Sequence, residues 1–294
     1  MLSKDVDLLV LGGLGVDIAT RVQALPMALF DSVMVPIELR IGNTGAGVAL
    51  AAHAIGLRVA VVDTLGDDPP GDIVGAALDR AGIETLLVAD PRGTRRSVSL
   101  IDPHGRRMSL YDPRAPWIGA PPLTPTELLD VAGRAQHVHV SIMDWMLDLL
   151  PVLARAGRPV STDLHDWDGS SSYHQPFGAA ADMVFVSGAR LPDVDSALVE
   201  ILKLGRATLA AATLGERGVR LLAAGSNPLD VPAATPPYPI VDTNGAGDAF
   251  VAGFIAGRLR GWPLEESARY ATAVAAAACA HDGMEYPPGV LPRP

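Results

Sequence analysis

The chain contains one cysteine, Cys279, and only two lysines, Lys4 and Lys203. A lone thiol excludes an intrachain disulfide and supplies too little thiolate for a structural zinc site. With a net charge of −10 there is no broad basic surface, which excludes charge-driven binding to nucleic acid or to an anionic membrane. The longest uncharged apolar run, Ala271 to Ala280, is far too short to span a bilayer. The start places Asp5 and Asp7 directly after Lys4 and before Leu8 to Leu11, with no basic region and no cleavage site. It reads as a first strand rather than a signal peptide, and a cytoplasmic protein is expected. No Gly-Lys pair occurs, which rules out a Walker-type phosphate loop, and Gly13 and Gly15 lack the third glycine of a dinucleotide fingerprint.

What the chain does have is 294 residues, of which 49% are hydrophobic, enough for one large domain over residues 1–294. Strand-like runs alternate with alanine-rich segments of helical period. The runs are Asp7 to Leu11, Val59 to Asp63, Val138 to Ile142, Val160 to Leu164, Met183 to Val186 and Thr208 to Thr213. The helical segments are Ala46 to Ile55, Gly71 to Ala81, Trp145 to Ala156 and Val194 to Leu204. That rhythm implies an α/β fold, a mostly parallel sheet sandwiched by helices. Arg95 to Ile101 and Arg107 to Tyr111 break it. They are short alternating strands joined by Asp102-Pro103-His104-Gly105, a hairpin composition. With the extended stretch Ala28 to Arg40 they predict a small antiparallel β lid, formed by about residues 17–41 and 92–113, over one end of the core.

The stretch Val241-Asp242-Thr243-Asn244-Gly245-Ala246-Gly247-Asp248-Ala249-Phe250 leads into a helical run, Val251 to Leu259. Gly245 and Gly247 around Ala246, just before a helix, allow successive N–H groups to converge on one point where the helix dipole adds positive potential. Asp248, in the first turn beside this anion hole, is placed to orient a hydroxyl attacking a phosphoryl group, or to take its proton. The plainer alternative is a glycine turn capped by an aspartate.

The string from Asp242 to Phe250 resembles the C-terminal signature of the ribokinase-like (PfkB) carbohydrate kinases, and other landmarks follow the family's order. Gly12-Gly13-Leu14-Gly15-Val16-Asp17 resembles its N-terminal glycine run ending in a sugar-binding aspartate. Gly42-Asn43-Thr44-Gly45-Ala46-Gly47, with Leu65-Gly66-Asp67-Asp68-Pro69-Pro70-Gly71, is similar to its N-terminal signature. Thr213-Leu214-Gly215-Glu216-Arg217-Gly218 resembles its nucleotide loop. The resemblance implies a Rossmann-like core with a β lid, and an ATP-dependent kinase acting on a hydroxyl of a sugar or sugar-like molecule. Asp248 would then activate the hydroxyl, while the N–H groups of Gly245, Ala246, Gly247 and Asp248 hold the transferred phosphoryl group. Asp17, Gly42, Asn43 and Gly47 would bind the acceptor, and Thr213, Gly215, Gly218 and Ser187 the nucleotide. Asp242 and Thr243 would hold a monovalent cation such as K+, alongside Mg2+ carried with ATP. A family-like lid strand able to pair between subunits makes a homodimer a further expectation.

Two departures from the family stand out. Ser187-Gly188-Ala189-Arg190 occupies the place of an Asn-x-x-Glu motif serving magnesium and phosphate, so the glutamate is absent and Arg190 is the charge on offer. Thr44 and Gly47 stand where ribokinase itself has lysine and asparagine against ribose, so ribose is not implied. A different sugar or a nucleoside stays open, as does a catalytically idle sensor of sugar or nucleotide. Elsewhere, His137 and His139 could share one face of a strand as metal ligands or simply as packing. Asp163 to Asp168 could be metal-like or a polar loop of aspartate turns. Arg95, Arg96, Arg106 and Arg107 could reach an acceptor that already bears phosphate, or guard an edge. Trp145, after the strand ending near Ile142, could stack on a sugar or pack in the core.

Overall fold

The computed structural model describes residues 5–27, 34–102, 107–117 and 120–294. The chain begins with β1 (Val6–Leu11), β2 (Gly15–Arg21) and β3 (Glu38–Gly42), then α1 (Thr44–Ala54), β4 (Val59–Leu65), α2 (Pro69–Ala81) and β5 (Glu84–Ala89). Next come β6 (Arg96–Ile101), β7 (Arg107–Asp112), α3 (Pro125–Gly133), β8 (Ala135–Val140), a four-residue α4 (Leu150–Leu153) and β9 (Val160–Asp163). The rest is α5 (Gln175–Ala180), β10 (Met183–Ser187), α6 (Val194–Leu204), β11 (Leu209–Thr213), β12 (Val219–Ala223), β13 (Leu229–Val231), α7 (Ala246–Leu259) and α8 (Leu264–Cys279).

Nine strands form one sheet in the order β13-β12-β11-β10-β9-β8-β1-β4-β5. It is parallel except at one edge, where β12 runs antiparallel to β11 and to β13. The rhythm of helix and strand did not announce that edge. The loop between β11 and β12 is too short for a crossover helix, so the chain can only turn back on itself. Both faces are covered. Leu8, Val10, Val59, Val61 and Phe185 point into one core with α1, α7 and α8, while Leu9, Leu11, Ala60, Val62 and Val138 point into the other. Two buried faces explain why these strands read as continuous apolar runs rather than as alternation.

Caps set the helix starts. Asp68 accepts from Gly71 N at 3.0 Å before Pro69 and Pro70, and Thr124 forms a reciprocal capping box with Glu127. The helix expected over Trp145 to Ala156 is shorter than that, a 3-10 helix over Asp144–Leu149 followed by α4. Pro151 explains the break, since a residue without N–H fits only a first turn.

A second sheet has the order β3-β2-β6-β7 and lies where a lid was expected. Its β2–β3 and β6–β7 pairs are antiparallel, whereas β2 and β6 run parallel. The Pro103-His104-Gly105 part of the hairpin turn and the first half of the Ala28 to Arg40 stretch lie outside the described residues. Among the described residues no helix is long and apolar enough to cross a membrane.

Candidate active site

The conserved geometry of an open α/β sheet puts ligands beyond the C-terminal ends of its parallel strands, and the glycine-rich segments gather there. After β1, Gly12 and Gly13 take positive φ of 83° and 84° and turn the chain into β2. Asn43, at φ 72°, caps α1 through its own side chain, with Oδ1 accepting from Thr44 N at 2.8 Å. Gly13 O accepts from Ala46 N at 2.9 Å, so the turn after β1 and the start of α1 are bonded together.

Two carboxylates lie on glycine α-carbons at either side of that cap. A Cβ added at Gly42 would lie 2.4 Å from Asp17 Oδ2, and one added at Gly47 would lie 2.2 Å from Asp248 Oδ2. Gly42 and Gly47 thus form the floors under the two aspartates. Asp17 is further held by two donors. Ser97 Oγ donates to its Oδ1 at 2.7 Å, and Asn244 Nδ2 donates to its Oδ2 at 3.3 Å. Each oxygen keeps accepting capacity for a ligand hydroxyl.

Asp248 is buried in the first turn of α7. Gly245 precedes that helix in the left-handed region at φ 76° and, being a glycine, brings no side-chain cap, unlike the N-cap residues of α1, α2, α3 and α6. Ala246 N already donates to Thr243 O at 3.3 Å, so of the four expected phosphate donors this one also closes the preceding turn. Asp242 Oδ1 accepts from Asn244 N at 2.9 Å, which shapes the approach. Phe250, on the second turn, packs edge-to-face on Phe185 of β10 with centroids 6.2 Å apart. This anchors α7 beside the strand ends at Ser187 and Thr213, which are register partners. Beyond them Gly215 and Gly218 bracket a tight turn closed by Leu214 N donating to Gly218 O at 2.7 Å.

The structure brings Asp17, Gly42, Asn43, Gly47 and Asp248 into one neighbourhood, and Ser187, Thr213, Gly215 and Gly218 into another at the adjoining strand ends. Two residues of the first neighbourhood were not singled out from the sequence, Asn244 and Ser97. The alternation of the lid hairpin was the available signal for Ser97, and none pointed to the aim of Asn244. Also unforeseen is Tyr286, whose hydroxyl is buried without a hydrogen-bond partner among the described residues. It sits 3.5 Å from the Cβ position of Gly245. Burial, and then the nearby Asp248, Cys279 and Asp242, push its phenol up, so it stays protonated.

Other candidates are accounted for structurally. Arg95 is buried and makes a two-nitrogen ion pair with Asp63, Nη2 to Oδ1 at 3.0 Å and Nη1 to Oδ2 at 3.0 Å. Asp63 also accepts from Leu14 N at 2.7 Å and from Trp145 Nε1 at 3.0 Å, so both Arg95 and Trp145 hold the joint between lid and core. Arg96 leans on Asp68 at 3.6 Å, while Arg106 and the side chain of Arg107 lie outside the described residues. His137 and His139 are buried and share Ser161 Oγ at 2.8 and 2.9 Å, which is sheet packing. At the end of β9 and in the loop after it, Asp163 and Asp168 accept from backbone N–H groups at 2.8 and 2.9 Å, the latter carboxyl held down to about 2 by its bonds from Ser170 and Ser171. Arg190 pairs with Asp166 of the same loop at 3.0 Å, both side chains exposed. No group of three His, Cys, Asp or Glu able to hold a metal occurs among the described residues.

Comparison with known proteins bears on the family and the fold. Residues 177–288 match the family model described as pfkB family carbohydrate kinase. The chain is 42% identical over 281 residues to acarbose 7(IV)-phosphotransferase of an Actinoplanes species, covering 95% of this chain and 93% of that one. Among solved structures, a microbiome-derived acarbose kinase superposes with a TM-score of 0.88 at 42% identity, covering 97% of this chain and 96% of the other. Ribokinase of Arabidopsis thaliana, solved with ribose and ATP, superposes at 0.78 with 21% identity over 98% of this chain and 96% of the other, which is a likeness of fold. The two glycine-floored carboxylates, the uncapped start of α7 and this extent of identity together identify the chain as a member of the pfkB family of carbohydrate kinases.

Proposed function

We propose that this sugar kinase transfers the γ-phosphoryl group of ATP to a hydroxyl of acarbose or a closely similar multi-ring sugar. The observation that carries the reading is the buried Asp248 carboxylate at the uncapped N-terminus of α7. There a base and an anion site sit within one helical turn. The relatives named for acarbose, at 42% identity, support the choice of acceptor.

In this reading Asp17 accepts hydrogen bonds from ring hydroxyls and fixes the sugar, with Ser97 and Asn244 holding the carboxylate in place. The reacting hydroxyl donates to Asp248, which takes its proton as the new O–P bond forms and the bond to the ADP oxygen breaks. The N–H groups of Gly247 and Asp248 then stabilise the oxygens of the phosphoryl group in flight. Ser187, Thr213, Gly215 and Gly218 line the nucleotide's approach. A magnesium ion arriving with ATP supplies neutralisation of phosphate charge. Such an ion is held largely by phosphates and water, with one or two carboxylates at most. The buried hydroxyl of Tyr286, near Gly245 and without a hydrogen-bond partner among the described residues, suits an added monovalent cation, with Asp242 and Thr243 as its further ligands. The small sheet covers the acceptor and excludes water as a rival nucleophile. Its outer face, with Leu39, Met108 and Leu110 at 41%, 50% and 56% exposure, is the surface for a homodimer. A cytoplasmic place, where ATP is at hand, completes the reading.

The test is ATP consumption by the purified protein with magnesium, with and without potassium. The panel comprises acarbose, shorter sugars, sugar phosphates and nucleosides, with Asp248→Asn as control. Turnover on acarbose that falls by about 10²-fold or more in Asp248→Asn, with ATP binding kept, is the expected result. Turnover confined to nucleosides would replace the acceptor, and ATP binding without turnover on any acceptor would favour a sensor.

A further inference from the structure

We propose that the polar face of the small sheet is a subsite for a second sugar ring, with Tyr111 as its stacking platform and Ser99 and Ser109 as its hydroxyl contacts. The inference rests on the reading of a multi-ring acceptor and deepens it.

Strand register supplies the argument. Asp17 on β2 is the partner of Ser97 on β6, and Ser97 is the partner of Tyr111 on β7. The next row on the same face is Ala19, Ser99 and Ser109. Cross-strand partners point to one side of a sheet, and two side-chain hydrogen bonds agree: Ser97 to Asp17 at 2.7 Å and Ser99 to Ser109 at 2.9 Å. The carboxylate proposed to grip the first ring therefore shares its row with an aromatic ring and its face with the neighbouring row of serine hydroxyls. Strands lie about 4.8 Å apart, so Tyr111, two strands over in the same row, is about 10 Å from Asp17. That leaves room for one ring against Asp17 and the next against Tyr111.

The two faces of this sheet differ in chemistry. Ile18, Val98, Leu100, Met108 and Leu110 occupy the opposite side, so Tyr111 is not part of that apolar surface. It is 72% exposed beside serine hydroxyls. A rigid ring with an apolar face and a polar tip, ordered at little entropic cost, matches the C–H face and the hydroxyl rim of a sugar. The serine pair can exchange its mutual bond for bonds to sugar hydroxyls, because each hydroxyl both donates and accepts.

The experiment compares steady-state kinetics of the wild type, Tyr111→Ala, Tyr111→Phe and Ser109→Ala on acarbose and on a single-ring sugar drawn from the same panel. Tyr111→Ala should raise KM for acarbose by about tenfold, leave kcat near the wild-type value and leave KM for the single ring unchanged. Tyr111→Phe should stay close to wild type, and Ser109→Ala should shift KM for acarbose by a few-fold. Circular dichroism and the mass in solution are measured alongside. An unchanged KM for acarbose in Tyr111→Ala, or equal shifts for both sugars, overturns the subsite while the sugar-kinase reading stands. A change of oligomeric mass in Tyr111→Ala assigns the residue to contact between copies and overturns it as well. Wild-type protein that phosphorylates no multi-ring sugar sinks the acceptor reading itself, and the subsite with it.

Discussion

The Asp248 carboxylate rests on the α-carbon of Gly47: a Cβ there would stand 2.2 Å from Oδ2 and 2.7 Å from Asp248 Cβ. Contacts that short do not occur between a methyl group and its neighbours, so α1 and α7 hold this distance only because position 47 carries no side chain. Asp17 over Gly42 repeats the arrangement five residues earlier.

Gly47→Ala should therefore displace the Asp248 carboxylate, the proposed base, without touching the nucleotide. A shift of about 1 Å at a reacting group costs on the order of 10²-fold in rate. The expected result is a kcat lower by about that factor with ATP affinity kept, read by initial rates and by equilibrium nucleotide binding. Wild-type kcat would show that the helices part without consequence for the base.

Ser97→Ala and Asn244→Ala each remove one donor to Asp17. A hydrogen bond to a charged group contributes about 1.5–3 kcal/mol, so KM for the acceptor should rise by roughly tenfold or more in each variant. The KM for ATP should not move in Ser97→Ala, because Ser97 lies on the lid strand β6. An acceptor KM unchanged in both variants would remove Asp17 from the acceptor site.

Arg95→Met leaves the Asp63 carboxylate buried without its cation. Breaking a buried pair from one side costs about 3–5 kcal/mol, and that loss should appear in denaturant unfolding of the variant. A loss below about 1 kcal/mol would mean that water reaches Asp63 and that the joint between lid and core is not dry.

His137 and His139 are held neutral by burial, with folded-state values pushed down to about 3 from 6.5. Between those values the unfolded chain binds more protons than the folded one. Stability is then fully present above pH 6.5 and falls as pH drops toward 3, by about 1.4 kcal/mol per pH unit for each ring. Urea midpoints measured from pH 7 to pH 4.5 test this. Replacing His137 with Gln should make the decline shallower, and an unaltered slope would show that this ring does not contribute.

Much of the fold is legible because βαβ rhythm is a local property: apolar runs and glycine stops mark β1, β4 and β10 without reference to distant residues. The antiparallel edge at β12 and β13 depends on the length of one connection, which periodicity does not report. The site divides along the same line. Gly245 to Asp248 could be read because a glycine turn and its helix are adjacent in sequence. That Gly42 and Gly47 lie beneath carboxylates could not, because a glycine shows what it permits and not which side chain arrives. Arg95 was ambiguous for the same reason, since its partner Asp63 is 32 residues away and the hairpin's alternation told only which residues share a face.

Asn244 lies in the loop just before α7, and Asp17 lies 227 residues earlier on the small sheet. With Asp17 holding the sugar and the loop before α7 holding phosphate, as proposed, this hydrogen bond is a direct link between the two sites. Any factor by which one substrate changes the affinity for the other must then be returned in equal measure. Water has no ring with which to engage Asp17, so under the same proposal it would meet the loop without that link.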